Sequence, residues 1–486
     1  MKNFNNIAIS ALLAATVLTS CEKFTKGYDI SPNLPLGAST NLLLTTSEVA
    51  TGLQEETNAA RLSAIWTQQF TGVTRQAAGL DAYQTLASDY DSDWANFYQY
   101  VLTNSRLTQT SADRDKNPLI KGIAQTLEGL SIGHATALWG DIPYSEALND
   151  AIAKPKFDMQ RDVYAQLQVV LADAIVNLGK PGLNPGTADV YFSGSKTKWL
   201  AVANTLRARY YLHVKDYANA AKYAALGIQS VTGNMVLQHP GTANQVDYNL
   251  INSFLDQQRP GDITADAAFA TKLLATQRTN AKTNESGRLG YFYALTFVKG
   301  SANGYANIDY EPNIYDGAFT PSSAYPIVTF EENQLISAEA QLRLDATAGF
   351  ATALSTLNGV RAYHDGTNSP YAANGTPHYA AYTAADFAVG GIAANDATDA
   401  NEALLKEVLT EKYLSLIGQI EPFNDQRRAT TLAGSSNASI SLVGVKPTKG
   451  TRLPQRFLYP QIEVTTNPNT PAQSANDLFT KTTVNQ

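Results

Sequence analysis

Cysteine is nearly absent: Cys21 is the sole one in 486 residues. No intrachain disulfide can form, so stability rests on apolar burial, and a cysteine-based metal cluster is excluded. Charge is also scarce. Asp, Glu, Lys and Arg make up 16% of the chain, against about 25% in an ordinary globular domain. The net charge of −7 leaves no basic stripe to neutralise phosphates, which excludes nucleic acid as a partner. It also argues against electrostatic docking on anionic lipid. Beyond the N-terminal residues, no apolar run approaches the roughly 18 residues of a spanning helix. Histidine is sparse, and His134, His213, His239, His364 and His378 lack the spacings of a zinc-binding helix. His364 and His378 fall in a loop-like stretch and are expected to be exposed. No metal and no cofactor are expected.

What is present begins with Lys2, an apolar run over 7–18, and then Leu18-Thr19-Ser20-Cys21. The run is too short to span a bilayer and is followed by small residues, the layout of a secretory leader. The cut site resembles a bacterial lipobox, in which cleavage precedes a cysteine that is then acylated. Cys21 is therefore the expected lipid attachment point. Residues 1–20 form the leader, and residues 21–40, rich in Gly, Pro, Asn and Ser, an extended linker. The body, 41–486, is ample for a large core, with an apolar content of 44%.

Helical periodicity dominates that body. Apolar residues recur from Asn41 through Leu53, and Leu62, Ile65, Trp66 and Phe70 share one face of a helix over 57–70. Further helices are predicted over 94–105, 118–139 and 162–178. The clearest helical pair is 196–214 with 217–228; a second is 330–344 with 347–361. Ala208, Tyr211, Ala220 and Ala224 sit at positions of a tetratricopeptide-type repeat, although Asn204 and Arg207 replace its Trp and Leu. A last helix covers 401–417, closed by Gly418. The pattern predicts an all-α fold in the main, built from irregular tetratricopeptide-like helix pairs with loop-rich insertions. Trp66, Trp94, Trp139 and Trp199 each sit in a helical apolar pattern and are expected in the core.

Catalytic motifs do not survive inspection. Gly129-Leu130-Ser131-Ile132-Gly133 matches G-x-S-x-G, but an elbow needs a strand before the serine. Here the serine falls mid-helix, and its small neighbours suit close helix approach. Asp89, Asp91 and Asp93 alternate like calcium ligands, yet Trp94 and Tyr100 stand where the loop needs Gly and Glu. They are read as acidic residues opening a helix. Asp425 beside Arg427 and Arg428 reads as a structural ion-pair network.

Two loop-like regions are candidates for ligand contact. The first, 71–85, carries Arg75, Asp81 and Tyr83. The second, 283–330, holds Tyr291, Tyr293, Tyr305, Tyr310, Tyr315 and Tyr325, about twice an even share of the chain's 25 tyrosines. A tyrosine offers a flat apolar face and a hydroxyl, which suits a sugar ring. The alternative is that these rings pack a subsidiary core on short strands. The candidate ligand-binding residues are Arg75, Tyr83, Tyr291, Tyr305, Tyr310 and Tyr315. Residues 363–400 read as a long surface excursion, and 453–471 as a Pro-rich extended tail.

Several stretches, in order, resemble one family, the SusD/RagB-like nutrient-binding outer-membrane lipoproteins, and within it the SusD-like 2 subgroup. They are the lipobox with Glu22 behind Cys21, WGDIPYSEAL (139–148), WLAVANTLRARYYLHVKDYANAAKYA (199–224), YPIVTFEENQLISAEAQLR (325–343), LNGVR (357–361) and RFLYPQIEVTTNP (456–468). The resemblance implies a single helical body held at the cell surface. It also implies a SusC-like TonB-dependent barrel as partner, over which the lipoprotein acts as a lid that captures an oligosaccharide or peptide. No motif carries a ligand identity across. The competing readings are a helical glycoside hydrolase and a helical-repeat scaffold of the envelope.

Overall fold

Helices begin where the sequence supplies acceptors for their free N–H groups. The computed structural model describes residues 38–242, 246–298, 307–397, 399–432 and 443–486. The predicted leader, Cys21 and Tyr305 lie outside the described residues. Helix α1 (Thr40–Glu55) follows Ser39, whose hydroxyl accepts the Leu42 N–H at 3.3 Å. Then come α2 (Asn58–Trp66), the two-residue strand β1 (Thr71–Gly72) and α3 (Arg75–Asp81). α4 (Asp91–Ala95) runs through a π turn, Asn96–Leu102, into α5 (Thr103–Arg114). Asn117 caps α6 (Pro118–Trp139), with proline in the first turn. Gly140, at φ +87°, ends that helix.

Next are α7 (Gln160–Gly179), α8 (Lys196–His213) and α9 (Tyr217–Ala224). The short α10 (Ser286–Phe292) precedes α11 (Phe330–Leu344), α12 (Ala346–Asp365), α13 (Ala400–Ser415) and α14 (Glu421–Arg428). The fold is mainly α-helical. The helix pairs α8/α9 and α11/α12 are both present, and they stack through Ala208, Ala220, Ala224, Ile336 and Ala340. Small side chains there let the backbones approach, which is why a degenerate repeat pattern suffices. Strands are short and pair antiparallel in twos: β1 with β3 (Ile263–Thr264), β2 (Met235–Leu237) with β7 (Tyr325–Val328), β4 (Thr283–Asn284) with β8 (His378–Tyr379), and β5 (Tyr293–Val298) with β6 (Asn307–Pro312).

The core centres on Phe457. Its ring lies 5.4 Å from Trp66, 4.9 Å from Tyr90 and 5.4 Å from Trp139. All four tryptophans are buried, as predicted, and each indole N–H has an acceptor: Leu80 O for Trp66, Glu463 for Trp94, Leu458 O for Trp139 and Asp189 for Trp199. Phe457 belongs to the predicted tail. That stretch is extended as expected, but Leu453, Phe457, Leu458 and Tyr459 are buried, and Gln461–Thr466 is helical.

Polar networks, not only apolar contacts, join the helices. His134 bridges Glu55 (2.8 Å) and Glu421 (2.9 Å), and His213 meets Glu421 at 3.1 Å. Arg209 forks onto Glu332 at 2.6 and 2.7 Å. On α14, Arg428 binds Asp425 and Glu339. Arg427 stands apart from that network, donating to the carbonyls of Ala137 (2.7 Å) and Gln455 (2.9 Å). A third network joins Arg278 and Arg288 to Glu285, Glu407 and Glu411.

Four sequence expectations change. Residues 71–85 are not a plain loop, because α3 occupies half of them. His364 is not exposed. α12 runs to Asp365, past its predicted end, and carries His364 into the third network, where it accepts from Arg288 at 2.6 Å. Burial, and then Arg288, hold its pKa at about 4. Residues 363–400 are pinned by buried Tyr371, Tyr379, Tyr382 and Phe387, so they are not a free excursion. Finally, α1 is inverted. It buries Ser47, Glu48, Thr51, Gln54 and Glu55 and exposes Leu42, Val49 and Leu53. Its polar face finds partners inside the protein: Ser47 bonds Thr108 at 2.9 Å, and one Glu48 oxygen accepts the Val190 N–H at 2.6 Å.

Candidate functional site

α2 carries two faces. Trp66 is turned into the core, while Asn58 and Arg61, three residues apart, line a cavity of about 460 Å³ together with the buried Leu62 and Ile65. α3 supplies Gln76, Ala77 and Leu80, the π turn Ser253–Gln258 supplies Phe254 and Gln258, and the segment after it supplies Arg259, Asp262 and Ile263. The β1–β3 pairing fixes the two walls together. Val73 N–H donates to Asp262 O at 2.9 Å, and Gly72 is required at the turn, since a Cβ there would stand 2.0 Å from Ala77 O.

Arg61 is the feature that sets this cavity apart. Its guanidinium carbon lies 4.0 Å from the ring centre of Phe254, a cation–π contact. Among the described residues it makes no hydrogen bond or ion pair. The nearby carboxylates are engaged elsewhere: Asp93 takes Asn58 Nδ2 (2.7 Å) and the Ala59 N–H (3.2 Å), and Glu56 takes His239 (2.8 Å) and the Leu250 N–H (2.9 Å). Burial pulls the Arg61 pKa down to about 10 and pushes Asp93 up to about 6. Among the described residues Asp262 is the one carboxylate on the cavity wall, and it is occupied by Arg75 Nε (2.6 Å) and Thr74 Oγ1 (2.8 Å).

The predicted contact residues separate. Arg75 stands at the cavity rim, largely exposed, holding Asp262 and the Pro260 carbonyl (3.2 Å). Tyr310 lies on β6, half-buried, and its carbonyl accepts the Ala265 N–H at 2.8 Å, tying the hairpin to the cavity segment. Tyr315 is 64% exposed, and its hydroxyl donates to Glu311 at 2.7 Å. That bond, before burial, raises its pKa to about 12. Tyr83 points inward. Its hydroxyl accepts the Thr448 N–H at 2.9 Å, and its ring packs edge-on to Phe479. Tyr291 is wedged between Phe292 and Tyr371, at 5.0 and 5.6 Å. Tyr83 is buried and Tyr291 half-buried. Tyr293 and Tyr325 are buried too, so much of the tyrosine excess is subsidiary core.

The family model described as starch-binding associating with outer membrane, SusD-like 2, matches residues 32–460. The chain belongs to the SusD-like family. No curated protein matches it. Among solved structures it is similar to a SusD/RagB family protein of Bacteroides thetaiotaomicron, with 18% identity and a TM-score of 0.64, covering 89% of this chain and 95% of that one. It is similar also to a chitin-binding SusD homologue of Flavobacterium johnsoniae, with 19% identity and a TM-score of 0.65 over 88% and 93% of the two chains. A SusD homologue of Bacteroides fragilis has 17% identity and a TM-score of 0.66 over 93% and 100%. At these identities the likeness establishes the fold.

In this SusD-like chain the residues that sequence reasoning missed are Arg61, Phe254, Gln258 and Asp262. One signal was present: Asn58, Arg61 and Ile65 share a face at i, i+3 and i+7, so a cation interrupts an otherwise apolar helix. Nothing local in the sequence places 253–263 against that face. Ser131 lies buried within α6 and donates to Gln54 at 2.6 Å, so the G-x-S-x-G match is helix packing. Leu171 crowds Gly129, and the Tyr210 ring crowds Gly133.

Proposed function

We propose that this SusD-like protein is a surface lipoprotein, anchored through Cys21, that binds an oligosaccharide and passes it to a SusC-like TonB-dependent barrel. The observation that carries the binding role is the cavity at Arg61: an uncommitted guanidinium above an aromatic ring, with the amides of Asn58, Gln76 and Gln258 around it. Such a wall binds hydroxyls and ring faces. Glycoside hydrolysis needs two working carboxylates, and among the described residues the cavity wall offers Asp262 alone, already bonded. Family membership supports a glycan cargo, as does the chitin-binding homologue of Flavobacterium johnsoniae. A peptide is the second cargo of the family reading. No helix among the described residues is long and apolar enough to cross a membrane, which agrees with anchoring by lipid. Arg75 at the rim, the exposed Tyr315 and Tyr310 on β6 are the residues we assign to ligand contact, together with Tyr305, which lies outside the described residues.

Two measurements test this. Pull-down of the full lipoprotein from its native envelope is expected to bring a stoichiometric barrel transporter. A screen of starch- and chitin-derived and acidic oligosaccharides is expected to give binding without product release. Tyr315→Ala should weaken that binding about threefold to tenfold, the worth of one aromatic contact, and leave the unfolding midpoint unchanged. Product release would favour the hydrolase. Absence of both barrel and glycan binding would favour the scaffold.

A further inference from the structure

We infer that the cargo carries an anionic sugar, and that a single uronate carboxylate docks on Arg61. This rests on the binding role proposed above and narrows its substrate class. A guanidinium brought into a protein wall normally finds a carboxylate, because an uncompensated charge loses hydration. Among the described residues the buried arginines all have partners: Arg209 takes Glu332, Arg278 takes Glu285, Arg288 takes Glu411 and Arg428 takes Glu339, while Arg427 donates to the carbonyls of Ala137 and Gln455. Arg61 has no carboxylate within ion-pair distance, although Asp93 and Glu56 are close enough to be felt. Both carboxylates are turned away into N–H and imidazole donors. The planar fork of Arg61 is thus left for something that enters the cavity, and a carboxylate is the group it fits in two-point geometry.

The surroundings limit how much charge can enter. Arg259 adds a second cation on the wall, and Arg75 a third at the rim, where it is spent on Asp262. Asp89, which accepts from Gln76 at 3.0 Å, and Asp256, near Tyr315, are acidic. A dense polyanion meets these carboxylates. An oligosaccharide with one acidic unit among neutral ones does not. Its carboxylate reaches Arg61 while its hydroxyls meet Gln76 and Gln258.

The test uses the full-length protein in detergent and titration calorimetry. The probes are short oligosaccharides bearing one galacturonate, glucuronate or mannuronate, each paired with its carboxyl-reduced counterpart, and neutral starch- and chitin-derived oligosaccharides. At least one acidic member is expected to bind tenfold or more tighter than its reduced partner. Arg61→Gln should remove that preference while keeping the unfolding midpoint. The wild-type comparison of acid against reduced sugar stands even if that variant folds poorly. Neutral oligosaccharides binding as well as or better than every acidic one would overturn the inference and leave the glycan-binding role intact. Binding of no glycan in the panel would overturn both, provided the protein is folded.

Discussion

Glu421→Ala is expected to destabilise the protein by about 3–5 kcal/mol, the cost of leaving buried partners unpaired. Glu421 opens α14 and is almost wholly buried. Its carboxylate meets His134 Nε2 at 2.9 Å, His213 Nε2 at 3.1 Å and Asn424 Nδ2 at 2.9 Å, with Arg209 Nε 3.7 Å away. Burial pushes its pKa up, but His213 and Arg209 outweigh that and hold it well below the usual carboxylate range. Through His134 it also reaches Glu55 at the end of α1. One carboxylate therefore ties together α1, α6, α8 and α14. Against a typical total stability of about 5–15 kcal/mol, its loss is large. Denaturant titration measures it. A change below about 1 kcal/mol would show that the network is not a structural tie.

The second large effect is expected at Gly133→Val. A Cβ at this position would stand 2.0 Å from Tyr210 Cζ and 2.1 Å from its hydroxyl oxygen. The Tyr210 ring has no room to retreat, being fully buried between α6 and Tyr164, and its hydroxyl donates to Gly129 O at 2.8 Å. The valine must separate α6 from α8 or expel the ring, losing that bond as well. Overpacking and an unmade buried hydrogen bond together give a loss of about 2–5 kcal/mol. The drop should appear as a lowered midpoint with the helical circular-dichroism signal weakened at elevated temperature. A variant as stable as the parent would mean that the glycines of 129–133 are not there for packing.

Local rules explain what could be read from the chain. α6 was legible because Asn117-Pro118 starts it, apolar residues run round it and Gly140 stops it. The tandem pairs α8/α9 and α11/α12 were legible because alanines mark their contact. Where long-range polar contacts decide burial, period alone misleads. α1 turns its leucine face outward because Ser47, Glu48, Gln54 and Glu55 find partners more than fifty residues away. His364 looks like a loop residue until Arg288 and Glu411 are placed around it. The site shows the same division. Arg75 fell in a stretch that reads as a loop, but the cavity behind it needs residues 253–263, which long-range pairing with 71–75 holds in place. The tyrosine excess mixed two settings: Tyr315 is exposed, while Tyr293 is buried and Tyr291 is half-buried among other rings.

The account turns on glycan entering the cavity between α2, α3 and the 253–263 segment. Hydrogen–deuterium exchange of the full protein, with and without its tightest-binding oligosaccharide, tests this most directly. The prediction is slowed exchange in three separate segments, 58–65, 75–80 and 253–263, with the helix pairs α8/α9 and α11/α12 unchanged. Protection elsewhere, with none in those three segments, would contradict it.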